Sequence, residues 1–156
     1  MATTDTATRV LDNYVGGRWT ASSTTELLDV MNPATGEVLA RVPLSTSAEL
    51  DAAVRAAREA LPVWRAVSVP ERARRLFTLR EKLVARKEDL ARTVTMEMGK
   101  TLPDARAEVG RMIEMVEAAC AVPTTMQGTI IEDVARNVDA ETVRQPVGVC
   151  LSLIHI

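Results

Sequence analysis

A mixed α/β architecture, with β-hairpins first, long helices next and a β-ribbon last, is the fold class this sequence predicts. Three observations carry it. Period-two segments broken by turn formers run up to Pro43, the apolar spacing switches to about 3.6 residues from Thr46, and polar alternation returns after Gly128. With 156 residues, 47% hydrophobic and 26% charged, the chain holds enough apolar material for one globular domain or a piece of one.

The first hairpin is read from Asn13-Tyr14-Val15-Gly16-Gly17-Arg18-Trp19, where two glycines that tolerate positive φ separate strand-prone residues. A second hairpin runs from Leu28–Met31 through the turn formers Asn32-Pro33-Ala34-Thr35-Gly36 into the alternating segment Glu37–Val42, which Pro43 ends. Thr46 and Glu49 have capping-box spacing and open a helix whose stripe is Leu50, Ala53, Val54, Ala57 and Leu61. Pro62 is expected to terminate it. Ser68 and Glu71 form a second box before a longer helical stretch carrying Leu76, Leu79, Leu83, Leu90 and Val94, with a break expected near Lys87 and a stop at Gly99. Thr101 and Asp104, with Pro103 in the first turn, begin another long helix that places Ala105, Val109, Met112, Val116 and Ala119 on one side and ends by Pro123. Thr129–Val134 and Ala140–Gln145 read as a polar two-stranded ribbon, and Val147–Cys150 as the start of a buried strand.

Charge and composition exclude several function classes. Nineteen basic and 21 acidic residues give a formal net charge of -2 with no basic patch or tail, which argues against nucleic acid as a partner. The sequence has no apolar run approaching the roughly 18 residues of a membrane span, and its start, MATTDTAT, lacks the order of a signal peptide, so a cytoplasmic protein with a frayed lead over residues 1–12 is expected. Cys120 and Cys150 have neither zinc-ligand nor CxxC spacing and read as buried thiols. His155, the sole histidine, can build neither a metal site nor a triad, and no metal is expected.

Two motifs carry chemistry only in the right context. Gly99-Lys100-Thr101 resembles the end of a phosphate loop, but Val94 stands where the loop's first glycine belongs and a helix precedes it, so a helix-to-helix turn is the expectation. The methionines between Met96 and Met126 fall on helical stripes and read as core. Arg111 has two readings. One is an ion pair with Glu108 or Glu114, each three positions away. The other depends on family.

Together, NPATGEVLARVP, EMGKTLPDARAEVGR, MVEAAC and VRQPVGVC resemble the N-terminal part of an aldehyde dehydrogenase over about residues 13–150. The later segments are similar to the CoA-acylating methylmalonate-semialdehyde dehydrogenases within that superfamily. The resemblance implies a Rossmann-like NAD domain, a catalytic domain holding a nucleophilic Cys, and a ribbon at 129–145 that pairs with another subunit to form a homo-oligomer. It implies a thiolate attacking a semialdehyde, hydride transfer to NAD, release of the acyl group to CoA and loss of carbon dioxide. It also implies that Arg111, in the EVGR position, binds the substrate's free carboxylate by a bidentate contact. The family's nucleophilic Cys and glutamate base match nothing here, so no catalytic and no cofactor-binding residue is expected in this chain.

The resulting division is a lead at 1–12, the N-terminal part of an NAD-binding domain at 13–128, the ribbon at 129–145 and the start of a first Rossmann strand at 146–150. Residues 151–156, LSLIHI, abandon the preceding style and are expected to be a tail read from adapter DNA, which the six codons decide. On this reading the chain is an inactive fragment, and Leu76, Leu79, Leu83, Leu90, Val94, Met112 and Val116 face a sheet that lies mostly outside it. The alternatives are a succinate-semialdehyde type of aldehyde dehydrogenase using water as acyl acceptor, and a short helical interaction module.

Overall fold

The computed structural model describes residues 8–153. Strands β1 (Asn13–Val15) and β2 (Arg18–Thr20) form the first hairpin around Gly16 and Gly17, both at positive φ. Strands β3 (Leu27–Met31) and β4 (Val38–Pro43) form the second, antiparallel with Leu28 opposite Val42. The Asn32–Gly36 turn is closed locally: the Asn32 carbonyl accepts from the Gly36 amide at 2.8 Å and its side-chain oxygen from the Ala34 amide at 2.9 Å. Arg9 and Leu11 exchange backbone hydrogen bonds with Arg41, and Val10 bridges Arg41 in parallel, so part of the stretch read as a frayed lead is tied to β4.

Helix α1 (Ser47–Ala66) starts at the expected capping box, with both reciprocal Thr46–Glu49 bonds formed. Pro62 does not end it. The helix continues to Ala66 and closes with the Val67 amide donating to the Trp64 carbonyl, so the turn on either side of the proline absorbs the loss of one hydrogen bond. Helix α2 (Val69–Ala85) starts after Ser68, but the second capping box is not made: Ser68 gives no side-chain cap, and Glu71 accepts instead from Arg74 at 2.9 Å. With Pro70 in the first turn, one of the orphan donors that a cap would serve is already absent. The expected break falls at Arg86, and α3 (Lys87–Met98) follows.

Gly99 ends α3 in the left-handed conformation, φ 72°. A Cβ there would also stand 2.8 Å from Cγ of Pro33, so the turn of the second hairpin is seated against the helix end. Thr101 caps α4 (Leu102–Ala119), and a short α5 (Val122–Thr125) follows. The ribbon consists of β5 (Thr129–Ala135) and β6 (Val138–Thr142), turned at Arg136–Asn137 with Asn137 at φ 61° and a register irregularity between Ile131 and Ala135. Its second strand therefore begins and ends earlier than the alternation suggests. Val147–Cys150 is not a strand and not buried. It has no neighbouring strand among the described residues to supply ladder partners, and Val147 is 93% exposed.

The core lies where α2, α3 and α4 pack together, and it is built of small side chains: Ala73, Ala91, Ala105, Val109, Ile113 and Cys120 are buried. Leu83, Leu90, Val94 and Leu102 pack against it while remaining partly exposed. On α4 the buried stripe runs through Ile113, not Met112, which is 40% exposed. Met96, Met98 and Met115 are exposed too, so the methionine stripes are not core in this chain. Cys120 is a buried thiol as expected, whereas Cys150 is exposed because the strand meant to bury it does not form. His155 lies outside the described residues.

Candidate substrate-anchor site

Helix α4 positions Arg111, the one residue for which the family resemblance implies a substrate role. At about 100° per residue, Arg111 lies about 200° around the helix from Val109, so burial of Ala105, Val109 and Ile113 turns it outward. Gly110 sits mid-helix on the side facing α3, and a Cβ there would lie 3.5 Å from the Lys87 ammonium. That is ordinary van der Waals contact with the end of a flexible side chain, so the approach of α3 to α4 does not require a glycine at this position.

Charge pairing fixes α4 against its neighbours. The Arg106 guanidinium grips the Glu88 carboxylate at two points, Nε to Oε2 at 2.8 Å and Nη2 to Oε1 at 2.7 Å, and Arg92 approaches the same carboxylate at 3.4 Å. The Arg106 hydrogen bonds and the neighbouring positive charges hold the Glu88 carboxyl below the usual carboxylate range, and Glu88 in turn raises Arg106. Arg80 of α2 pairs with Glu117 at 2.8 Å. Lys100, in the elbow between α3 and α4, pairs with Glu108. Each of these pairs is solvent-exposed, so each contributes geometry more than stability.

Arg111 makes no ion pair among the described residues, and neither expected partner is engaged with it. The intrahelical pairing read from spacing is therefore not the arrangement adopted. Glu108 is taken by Lys100 across eight positions, a pairing the sequence reading missed. Its only signal in the sequence is the Gly99-Lys100 step before Thr101, which makes the chain reverse and carries the lysine back alongside α4.

The Gly99-Lys100-Thr101 stretch is a helix-to-helix turn and not a phosphate cradle: Gly99 donates its amide to the Thr95 carbonyl at 2.9 Å, and Thr101 accepts from the Asp104 amide. Among the described residues no group of three or more His, Cys, Asp or Glu could hold a metal ion, and no helix is long and apolar enough to cross a membrane.

Comparison with known proteins bears on what this scaffold belongs to. The chain is 48% identical over 149 residues to malonate-semialdehyde dehydrogenase 1 of Geobacillus kaustophilus, an alignment covering 96% of this chain and 30% of that protein. It superposes with a TM-score of 0.86 and 31% identity on a Sinorhizobium meliloti methylmalonate-semialdehyde dehydrogenase complexed with NAD, over 92% of this chain and 29% of that one. Aldehyde dehydrogenase 21 of Physcomitrella patens, in complex with succinate, matches with a TM-score of 0.75 at 32% identity, over 83% of this chain and 27% of that one. The chain spans about 30% of the length of the relatives it matches. Its hairpins, helices and ribbon are the N-terminal part of their fold, and the aldehyde dehydrogenase family profile matches residues 19–154. By sequence and by fold, then, this chain belongs to the aldehyde dehydrogenase family.

Proposed function

We propose that this chain is the N-terminal segment of an NAD-dependent dehydrogenase that oxidises malonate or methylmalonate semialdehyde to an acyl-CoA with loss of carbon dioxide. The supporting observation is the match to malonate-semialdehyde dehydrogenases at about half identity along nearly the whole chain. NAD is supported by the Sinorhizobium meliloti neighbour's complex with it. The cofactor, CoA and the reacting thiol belong to the remainder of the protein on this reading, and residues 13–128 supply scaffold and substrate anchoring. The segment alone is inactive. The 129–145 ribbon, exposed along both strands, is the element through which the complete enzyme forms a homo-oligomer in the cytoplasm.

Arg111 is the anchor for the substrate's carboxylate. Its guanidinium is exposed and free of intramolecular ion pairs among the described residues, which leaves its planar donor fork open to a bidentate contact. Hydrogen bonds to charged groups contribute about 1.5–3 kcal/mol, so Arg111→Gln in the complete enzyme should raise KM for malonate semialdehyde roughly 10- to 100-fold. A neutral aldehyde of similar size should be unaffected. An unchanged KM for the anionic substrate removes Arg111 from the site.

The second reading, a succinate-semialdehyde enzyme releasing its acyl group to water, is favoured by the succinate complex of the Physcomitrella patens neighbour. NADH formation measured with and without CoA on both semialdehydes separates the two. CoA-dependent turnover of the malonate series supports the first reading, and CoA-independent turnover of succinate semialdehyde the second.

A further inference from the structure

We propose that Lys100 keeps the Arg111 anchor open by occupying Glu108, making Lys100 a specificity-determining residue for anionic aldehydes. The inference rests on the assignment of Arg111 as carboxylate anchor and adds a second, separately testable residue to it.

An arginine on a helix has its strongest intramolecular competitors three and four positions away, and for Arg111 the acids at such spacing are Glu108 and Glu114. The two are not equivalent. An acid on the N-terminal side of its cation is the better-oriented partner, so Glu108 is the one that would neutralise Arg111. In the structure that carboxylate is bound by the Lys100 ammonium. The main chain on both sides of Lys100 is held in the elbow, which sets the point from which its side chain reaches Glu108. Gly99 closes α3 with its amide on the Thr95 carbonyl at 2.9 Å, and Thr101 caps α4 through the Asp104 amide. Lys100 is also the less exposed member of the pair, with 31% of its side chain accessible against 46% for Glu108. A resident carboxylate on Arg111 would have to be displaced before a substrate carboxylate could enter, and apparent affinity would fall in proportion to the fraction of Arg111 left open.

The test is steady-state kinetics on the complete enzyme with malonate semialdehyde and with propanal, which has no carboxylate. Lys100→Met and Lys100→Gln release Glu108 and should raise KM for the semialdehyde about two- to fivefold, with kcat and the propanal KM unchanged. Lys100→Arg keeps the cation and should keep the wild-type KM. The double variants Lys100→Met/Glu108→Gln and Lys100→Gln/Glu108→Gln remove the competitor as well and should restore it, whereas Glu114→Gln alone should change nothing. The proposal is overturned if neither Lys100 variant raises the semialdehyde KM, if the propanal KM rises equally, or if the double variants fail to recover. Arg111→Gln distinguishes the two layers: an unchanged KM there removes the anchor itself, whereas a raised KM with silent Lys100 variants removes only the role of Lys100.

Discussion

At the scale of single residues, Glu49 shows how much one carboxylate can organise. Its oxygens accept the Ser23 amide at 2.7 Å, the Thr46 amide at 2.7 Å and the Ser22 hydroxyl at 2.9 Å, so one side chain caps α1 and ties the β2–β3 connection to it. These donors, the Ser23 amide foremost, then Thr46 and Ser22, bring its pKa down to about 2. An ordinary glutamate titrates near 4.3, so the folded value lies below the unfolded one. Glu49 therefore stabilises the fold fully above about pH 5, and that contribution disappears as pH falls towards 2. In the complete enzyme, Glu49→Gln should lower Tm at neutral pH, and the Tm difference from wild type should shrink steadily between pH 5 and pH 2. A constant difference across that window would show that the charge is not what Ser22, Ser23 and Thr46 hold. Half of this site was legible in the sequence: Thr46 and Glu49 are three apart, and the capping box follows from spacing alone. The other half was not, because Ser22 and Ser23 reach Glu49 only once the second hairpin has folded back. Arg111 and Lys100 divide the same way. The outward face of Arg111 follows from helical period, whereas the Lys100–Glu108 pair depends on how α4 reverses at the elbow.

At the scale of elements, the boundaries that local chemistry decides were the ones the sequence revealed. Gly99 and Thr101 end and restart helices by backbone geometry and capping, and each stands where the spacing places it. Pro62, Glu71 and Val147–Cys150 were misread because their outcome is settled by neighbours: a helix long enough to absorb a proline, an arginine competing for a carboxylate, and a strand without ladder partners. Gly99 adds a requirement that sequence cannot show, namely the seat for Pro33. Two glycines at nearly the same φ separate the causes. Gly36, at 74°, has open space where a Cβ would be, whereas Gly99, at 72°, meets Pro33. Asn tolerates the left-handed region, so Gly36→Asn should cost only a few tenths of a kcal/mol, while Gly99→Asn should cost about 1–3 kcal/mol from overpacking. Adding Pro33→Ala removes the Cγ in contact and should recover part of the Gly99→Asn loss, giving a coupling energy of about 0.5 kcal/mol or more in a thermal double-mutant cycle. Equal losses at the two glycines, or strict additivity with Pro33→Ala, would show that the hairpin turn does not seat on the helix end.

At the scale of the whole molecule, the decisive quantity is surface. The chain exposes 12663 Å² at 17.0 kDa, against about 7,700 Å² for a folded monomer of that mass. The deficit in burial has an address. Leu79 is 44% exposed, Phe77 54%, Met112 40% and Met115 62%, and both strands of the ribbon are open along their length, while the buried core contains no side chain larger than Ile113. Ordinary domains retain only about 5–15 kcal/mol of net stability, and each large apolar side chain left in water forfeits up to about 1.5–3 kcal/mol, so a handful of uncovered positions is enough to exhaust the margin. The 156-residue chain produced alone should therefore bind an apolar-surface dye strongly and heat without a sharp cooperative transition, keeping helical circular dichroism from α1 to α4. The same segment within a complete enzyme should be protected from hydrogen exchange on the faces of Leu76, Leu83 and Val94. A helical interaction module requires the reverse: a compact, monodisperse 156-residue product with a calorimetric melt and no dye binding. That result would mean that the exposed faces need no further sheet, and it would separate the family assignment of this chain from the enzyme role proposed for it.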